Sequence, residues 1–236
     1  GATGEGFYYE TFYAGTYRQV IYFDVERFHL TGGAGHDVLY GGNHDDVLIG
    51  GGGDDWLRAG TGKGIFDGGE GTDLVVATIR TADNEDLGLD FVLSLADTQD
   101  GPVTVNAGTE VETIWSGIEY VHLTTGSGND HLNTRGLSVQ VDAPHGQGGH
   151  VFTSGAGNDT FEVDLRTHSG HIFNAGEDFD TLVMDWSLSA SNIGRGAVGE
   201  GFYYQTFYDG TYRQVTYYDV ESFHLTGGAG HAVLYG

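Results

Sequence analysis

The chain has 236 residues, 34 acids against nine bases for a formal net charge of −25, 42 glycines, two prolines and no cysteine. That charge balance excludes a basic face for nucleic acid and attraction to an anionic lipid surface, and the lack of cysteine excludes disulfides and thiolate metal sites. Glycine at this level without a three-residue period excludes collagen, an apolar content of 39% leaves material for a core, and no run reaches the ~20 apolar residues of a membrane-spanning helix.

Residues 1–31 open with FYYETFY–AG–TYRQVIYF (7–23), two tyrosine-rich runs around a two-residue turn, which predicts an antiparallel hairpin. Residues 32–76 fall into units of nine: GGAGHDVLY, GGNHDDVLI, GGGGDDWLR, AGTGKGIFD and GGEGTDLVV. Residues 77–124 form an inserted β segment. DLVVATI (73–79), like DTLVMDWSL (180–188), reads as a strand leaving the repeats, and 87–115 is expected to be an irregular set of strands with a turn at Asp100–Gly101–Pro102. Glycine density makes any helix costly, and none is predicted. A second, irregular block of nonapeptides covers 125–183, with units beginning at 125, 145, 154, 166 and 175 and three extra residues, Val163–Leu165, expected to lengthen one strand. Residues 184–226 return to a hairpin with an Asp209–Gly210 turn, and 227–236 start another nonapeptide block.

The ends are duplicates. Residues 4–41 reappear as 199–236 at an offset of 195, with six differences in 38 positions. The chain is therefore expected to hold a little more than one period of a tandem array. Starting at Gly1 rather than Met, it reads as a portion of something larger. A weaker echo links FDVERFHLTGGAGHDVL (23–39) to WSGIEYVHLTTGSGNDHL (115–132).

Within each unit, position eight is apolar: Leu39, Leu48, Leu57, Phe66, Val75, Leu132, Phe152, Phe161, Phe173, Leu182 and Leu234. One inward side chain per three-residue strand suits a thin, coiled parallel sheet. The six-residue turn needs glycine where φ is positive and where backbone carbonyls face the gap between coils. Position six adds a carboxylate: Asp37, Asp46, Asp55, Asp73, Asp130, Asp159 and Asp180. Turns stacked ~4.8 Å apart bring these acids close enough to repel strongly unless a cation lies between them. A site of carbonyl and carboxylate oxygens favours a hard divalent ion such as Ca²⁺.

The pattern GGxGxDxUx resembles the RTX (repeats-in-toxin, hemolysin-type) calcium-binding nonapeptide family. The resemblance implies an all-β fold, a right-handed parallel β-roll with inserted Tyr-rich hairpins, and Ca²⁺ held between every second unit. Carried over, Asp37 with the carbonyls of Gly33 and Gly35 would face Asp55 with Gly50 and Gly52. Asp55 with Gly51 and Gly53 would face Asp73 with Gly68 and Glu70. Asp159 with Gly155 and Gly157 would face Asp180 with Ala175 and Glu177.

Departures from the pattern thin out the expected sites. Gly64 stands where Asp belongs, which leaves the Asp46 side weak; His44 strains its turn; Ala232 replaces the Asp37 equivalent. His150 and His171 take the Asp place on the side opposite Asp159 and Asp180. A His pair two turns apart is compatible with Zn²⁺ or Ni²⁺, and the preferred reading is a metal-free packed turn. The calcium sites are thus expected to be few and one-sided.

No H-E-x-x-H or G-x-S-x-G motif is present, and no enzymatic activity is expected. The leading expectation is a calcium-rigidified structural segment of a large secreted or cell-surface bacterial protein (adhesin, surface layer or matrix array), exported by a type I system as the resemblance implies. The alternatives are a module that binds glycans or other copies of itself through its Tyr-rich hairpins, and the non-catalytic carrier of a secreted enzyme.

Overall fold

A computed structural model describes residues 5–11, 17–23, 25–81, 83–136, 149–164, 170–185, 201–206 and 212–227. The Asp209–Gly210 turn and the last nonapeptide with Ala232 and Leu234 lie outside the described residues.

Strands β1 (Glu5–Thr11) and β2 (Tyr17–Phe23) pair antiparallel. The chain then shuttles through β3 (His29–Thr31), β4 (Val38–Tyr40), β5 (Asp46–Gly52), β6 (Trp56–Arg58), β7 (Gly64–Glu70) and β8 (Leu74–Thr78). The insert supplies β9 (Val92–Ser94), a helix α1 (Leu95–Thr98), β10 (Val103–Val105) and β11 (Thr113–Ser116). The coils resume with β12 (Tyr120–Thr124), β13 (His131–Asn133), β14 (Val151–Ala156), β15 (Thr160–Asp164), β16 (His171–Glu177) and β17 (Thr181–Asp185). Last come β18 (Gly201–Thr206), β19 (Tyr212–Tyr218) and β20 (Ser222–Thr226).

Three larger sheets result. One has eight strands in the order β18-β19-β16-β14-β12-β8-β6-β4, parallel throughout except β18. From β3 onward the chain mostly alternates between this sheet and one of two five-stranded sheets, β10-β11-β7-β5-β3 and β20-β17-β15-β13-β9. That is the parallel two-sheet coiling of a β-roll. Two nonapeptides make one coil, so residues 18 apart stack: Val38 on Trp56, Leu39 on Leu57, Asp46 on Gly64.

Alternation decides what lies inside. Positions six and eight are two apart and share a face. Every described position-eight residue is buried, from Leu39 to Leu182. In the second block these are Phe152, Phe161 and Phe173; Phe152 and Phe173 stack with centroids 5.5 Å apart, and Phe161 meets both edge-on. Trp115 meets Phe66 at 5.0 Å and Phe91 at 6.3 Å, so one aromatic of the insert links the core of the first block to that of the insert.

Two expectations need correction. Strands are not all three residues long: β5, β7 and β16 run to seven, because the first turn residues also join the ladder, Gly51 beside Gly69 and Gly155 beside Gly176. The insert also contains a helix, though of only four residues. Buried Thr98 explains it. Its hydroxyl donates to the Leu95 carbonyl at 2.8 Å, and its own carbonyl accepts the Gly117 N–H at 2.9 Å, so one helical turn is held against the loop before β12.

Candidate metal centre

The position-six acids form two columns, one on each edge of the roll. Turns entering the eight-stranded sheet carry Asp37, Asp55 and Asp73. Turns leaving it carry Asp46 and, in the second block, Asp130, Asp159 and Asp180.

Each column is built the same way. One carboxylate oxygen accepts the N–H of the position-six residue one coil earlier. The Asp37 N–H donates to Asp55 Oδ1 at 2.7 Å and the Asp55 N–H to Asp73 Oδ1 at 2.7 Å. In the second block the Asp130 N–H donates to Asp159 Oδ1 at 2.7 Å and the Asp159 N–H to Asp180 Oδ1 at 2.8 Å. The side chains thus continue the backbone ladder through the turn.

The second oxygen is the informative one. Oδ2 of Asp55, Asp73, Asp130, Asp159 and Asp180 is buried and accepts no hydrogen bond. Asp37 and Asp46 differ, since their Oδ2 accepts the Gly33 and Gly42 N–H respectively, each at 2.6 Å. Asp46 also accepts the Phe28 N–H at 2.9 Å and stacks on Gly64, which bears no acid. A Cβ at Gly64 would lie 2.2 Å from the Phe66 ring, so the core aromatic occupies the space a second acid would need.

Glycine completes the first column. A Cβ at Gly50 would lie 2.2 Å from Asp55 Oδ2 and 2.6 Å from the Gly68 carbonyl oxygen, so an acid of one turn and a carbonyl of the next converge where the side chain is missing. Gly33, Gly35, Gly51, Gly52, Gly53 and Glu70 occupy the same stacked turns, with Gly51 beside Gly69 and Gly52 beside Glu70. In the second block Gly155 lies beside Gly176 and Ala156 beside Glu177, while Gly157, Ala175 and Asp180 belong to the same pair of turns. There position one is Thr125, Ser154 and Ala175. The Thr125 hydroxyl donates to the Ser154 carbonyl at 3.2 Å and the Ser154 hydroxyl to the Ala175 carbonyl at 2.9 Å. The two columns therefore offer different linings. His44, at φ 101°, sits in the left-handed region that glycine occupies in the stacked turns.

Electrostatics follows from this burial. It pushes Asp55 up to about 6, Asp73 to about 8, Asp130 to about 7 and Asp180 to about 6, with neighbouring acids adding to the shift; backbone N–H groups oppose it, and at Asp130 the Thr125 hydroxyl opposes it first. Among the described residues the ion pairs lie elsewhere: Arg27 pairs with Asp45 at 3.1 Å and Arg135 with Glu162 at 2.9 Å. Buried carboxylates without a partner are costly to ionise, and carbonyl and carboxylate oxygens suit a hard divalent cation.

A pH dependence follows. These acids hold protons in the metal-free fold that the unfolded chain releases near pH ~3.9. The metal-free fold is therefore destabilised progressively as pH rises from about 4 to about 8. In EGTA, more β ellipticity is expected at about pH 5.5 than at about pH 8; the reverse order would contradict the burial of unpaired acids.

The histidines continue the first column without acids. The Val121 N–H donates to His150 Nδ1 at 3.4 Å and the His150 N–H to His171 Nδ1 at 3.2 Å, the role that Oδ1 plays at Asp55. The rings stack at 5.1 Å, with Tyr120 on the other face of His150. Among the described residues no three His, Asp or Glu side chains converge on one point, so any metal site here draws largely on carbonyls.

With this geometry in place the comparison with known families is decisive for the first block. The RTX calcium-binding nonapeptide repeat matches in four copies, over residues 29–57 and 40–75. Residues 29–75 are RTX calcium-binding repeats. RTX repeats bind Ca²⁺, and here the atoms fit it: orphaned Asp Oδ2, converging carbonyls and glycine-lined cradles. No curated protein matches the chain. No helix among the described residues is long and apolar enough to cross a membrane.

Two residues that sequence reasoning missed extend the acid columns. Glu119 Oε2 accepts the Asp73 N–H at 2.8 Å, and Glu221 Oε2 accepts the Asp180 N–H at 2.8 Å. Neither stands in a nonapeptide, so the nine-residue register passes over them. The signal that could have found them is V/I-E-x-x-H-L-T, present at 25–31, 118–124 and 220–226.

Proposed function

We propose that this chain is a calcium-dependent structural repeat segment of a large secreted or cell-surface bacterial protein, such as an adhesin, surface-layer or matrix array. The observation that carries the reading is the set of buried, unpartnered Oδ2 atoms in stacked turns of a chain with a net charge of −25. Asp37, Asp55 and Asp73 with Gly33, Gly35, Gly50, Gly51, Gly52, Gly53, Gly68 and Glu70 supply the first ligand column. Asp130, Asp159 and Asp180 with Gly155, Gly157, Ala175 and Glu177 supply the second, and the roll is right-handed. Without Ca²⁺ the acids repel and keep the chain open; calcium outside the cell bridges the turns, and binding energy becomes folding energy. Asp46, with both oxygens engaged by backbone, contributes least.

The duplication supports an array. Ser222–Thr226, the counterpart of Arg27–Thr31 at the 195-residue offset, stacks in register on β17, so a new period begins as another coil of the same roll. Tyr217 of the second hairpin is fully buried in the core, which favours a spacer over an aromatic binding face.

Counting ions tests the reading. Dialysis of the metal-free chain against Ca²⁺ in the presence of excess Mg²⁺ is expected to leave several Ca²⁺ bound per chain and no Mg²⁺. Retention of no Ca²⁺ would refute it.

A further inference from the structure

Where the RTX match ends, at residue 75, the first column does not end. The next turn entering the eight-stranded sheet is the short loop between β11 and β12, Gly117–Ile118–Glu119. It stacks directly on the turn 68–73. Asp73 O accepts the Glu119 N–H at 3.3 Å and the Tyr120 N–H at 2.9 Å, and the Asp73 N–H donates in return to Glu119 Oε2.

The cradle seen at Gly50 recurs here with a non-repeat partner. A Cβ at Gly68 would lie 2.1 Å from the Gly117 carbonyl oxygen and 2.5 Å from Asp73 Oδ2. Asp73 is fully buried and this Oδ2 has no partner; Glu119 is only 3% exposed. The Gln99 side chain hydrogen-bonds to the Glu119 carboxylate, and its amide nitrogen donates to the Ile118 carbonyl at 3.1 Å, which orients the acid.

Resting on the calcium reading above, we infer that Asp73, Glu119 and the Gly117 carbonyl form a further divalent-cation site that joins the repeat block to the insert. Its chemistry is oxygen-only and dianionic, which suits Ca²⁺. The loop has three residues where the nonapeptide turn has six, and it carries Glu where that turn carries Asp.

The loop is a recurring device. Asp219–Val220–Glu221 repeats it beneath the second column: φ is 55° at Asp219 and 56° at Gly117, Val220 and Ile118 are both buried, and Asp180 O accepts the N–H groups of Glu221 and Ser222 at 3.3 and 2.9 Å. The difference is position one. It is Ala175 there and Gly68 here, and the converging carbonyl and Oδ2 are seen at Gly68, so the inference is confined to Glu119.

The test is the number of Ca²⁺ bound by the whole chain and by Glu119→Gln, which keeps an oxygen acceptor for the Asp73 N–H and removes the charge. The expected result is one Ca²⁺ fewer per chain at a concentration that saturates the wild type, with the count restored in Glu119→Asp at higher Ca²⁺. Glu26→Gln, at the exposed equivalent in the first copy, is expected to leave the count unchanged. If Glu119→Gln fails to fold, Glu119→Asp decides alone, by needing at least tenfold more Ca²⁺ to fill the last site. Wild-type counts and affinities in both variants would overturn this inference while leaving the calcium reading intact; a wild type that binds no Ca²⁺ would remove the reading beneath it.

Discussion

Chelation by EGTA near neutral pH is expected to convert the folded chain to coil. Five buried Oδ2 atoms lie in two columns, and none of the ion pairs among the described residues reaches them. At pH 7 the metal-free fold must either leave buried carboxylates charged or take up protons, and both act against it. A domain of this size has a net stability of only about 5–15 kcal/mol. A ligand at 100 times its Kd contributes about 2.7 kcal/mol per site, so loss of two or three calcium ions removes most of that margin. Far-UV circular dichroism during titration from EGTA should show a cooperative coil-to-β transition in roughly the millimolar range expected of extracellular calcium modules, and none with Mg²⁺. A β spectrum that persists unchanged in EGTA at neutral pH would mean that the core of Leu39, Leu57, Phe152 and Phe173 holds the roll alone, with calcium reduced to a local ornament.

Replacing Gly69 with alanine is expected to be among the most damaging single-methyl changes in the first block. Its φ is +98°, and the added Cβ would lie 2.1 Å from the Gly51 carbonyl oxygen. The strained backbone by itself costs about 1–3 kcal/mol. The clash is with backbone one coil away, so relief requires the coils to part, which also separates the Asp55 and Asp73 turns that face each other. The expected outcome is a loss of about 3 kcal/mol or more at saturating Ca²⁺, as a sum of strain and overpacking, together with a calcium midpoint raised at least tenfold. Gly35→Ala is the matched control. It lies in the first turn with nothing within 4 Å of its added Cβ, and a change within about 0.5 kcal/mol is expected. Urea midpoints of the two variants in Ca²⁺ make the comparison, and equal midpoints would show that the stacked carbonyls do not constrain position two.

The local rules of this protein were legible in the residues. The nine-residue beat, the apolar residue at position eight and the acid at position six are each set by short-range geometry: a strand alternates its faces, and a tight turn needs glycine. The inward burial of Leu48, Phe161 and Leu182 therefore followed from spacing, and so did the stacking of Asp55 on Asp73. What spacing could not show is which edge of the roll each acid column occupies. That depends on the insert, where β9, α1 and β11 exchange one five-stranded sheet for the other, so the acids of the second block emerge on turns leaving the long sheet rather than entering it. Nor could spacing show that Phe66 fills the place beside Gly64, or that Asp46 satisfies both of its oxygens with backbone N–H groups. Glu119 is the sharpest case. In sequence it is 46 residues from Asp73 and outside any nonapeptide, and only the packing of the β11–β12 loop onto the preceding coil makes it the next carboxylate of the column. Repetition along the chain determined the coil and the placement of its acids, because those rest on neighbours one coil away, 18 residues in the first block and 29 or 21 in the second; the ends and sides of the columns were decided by contacts across the insert, which no period records.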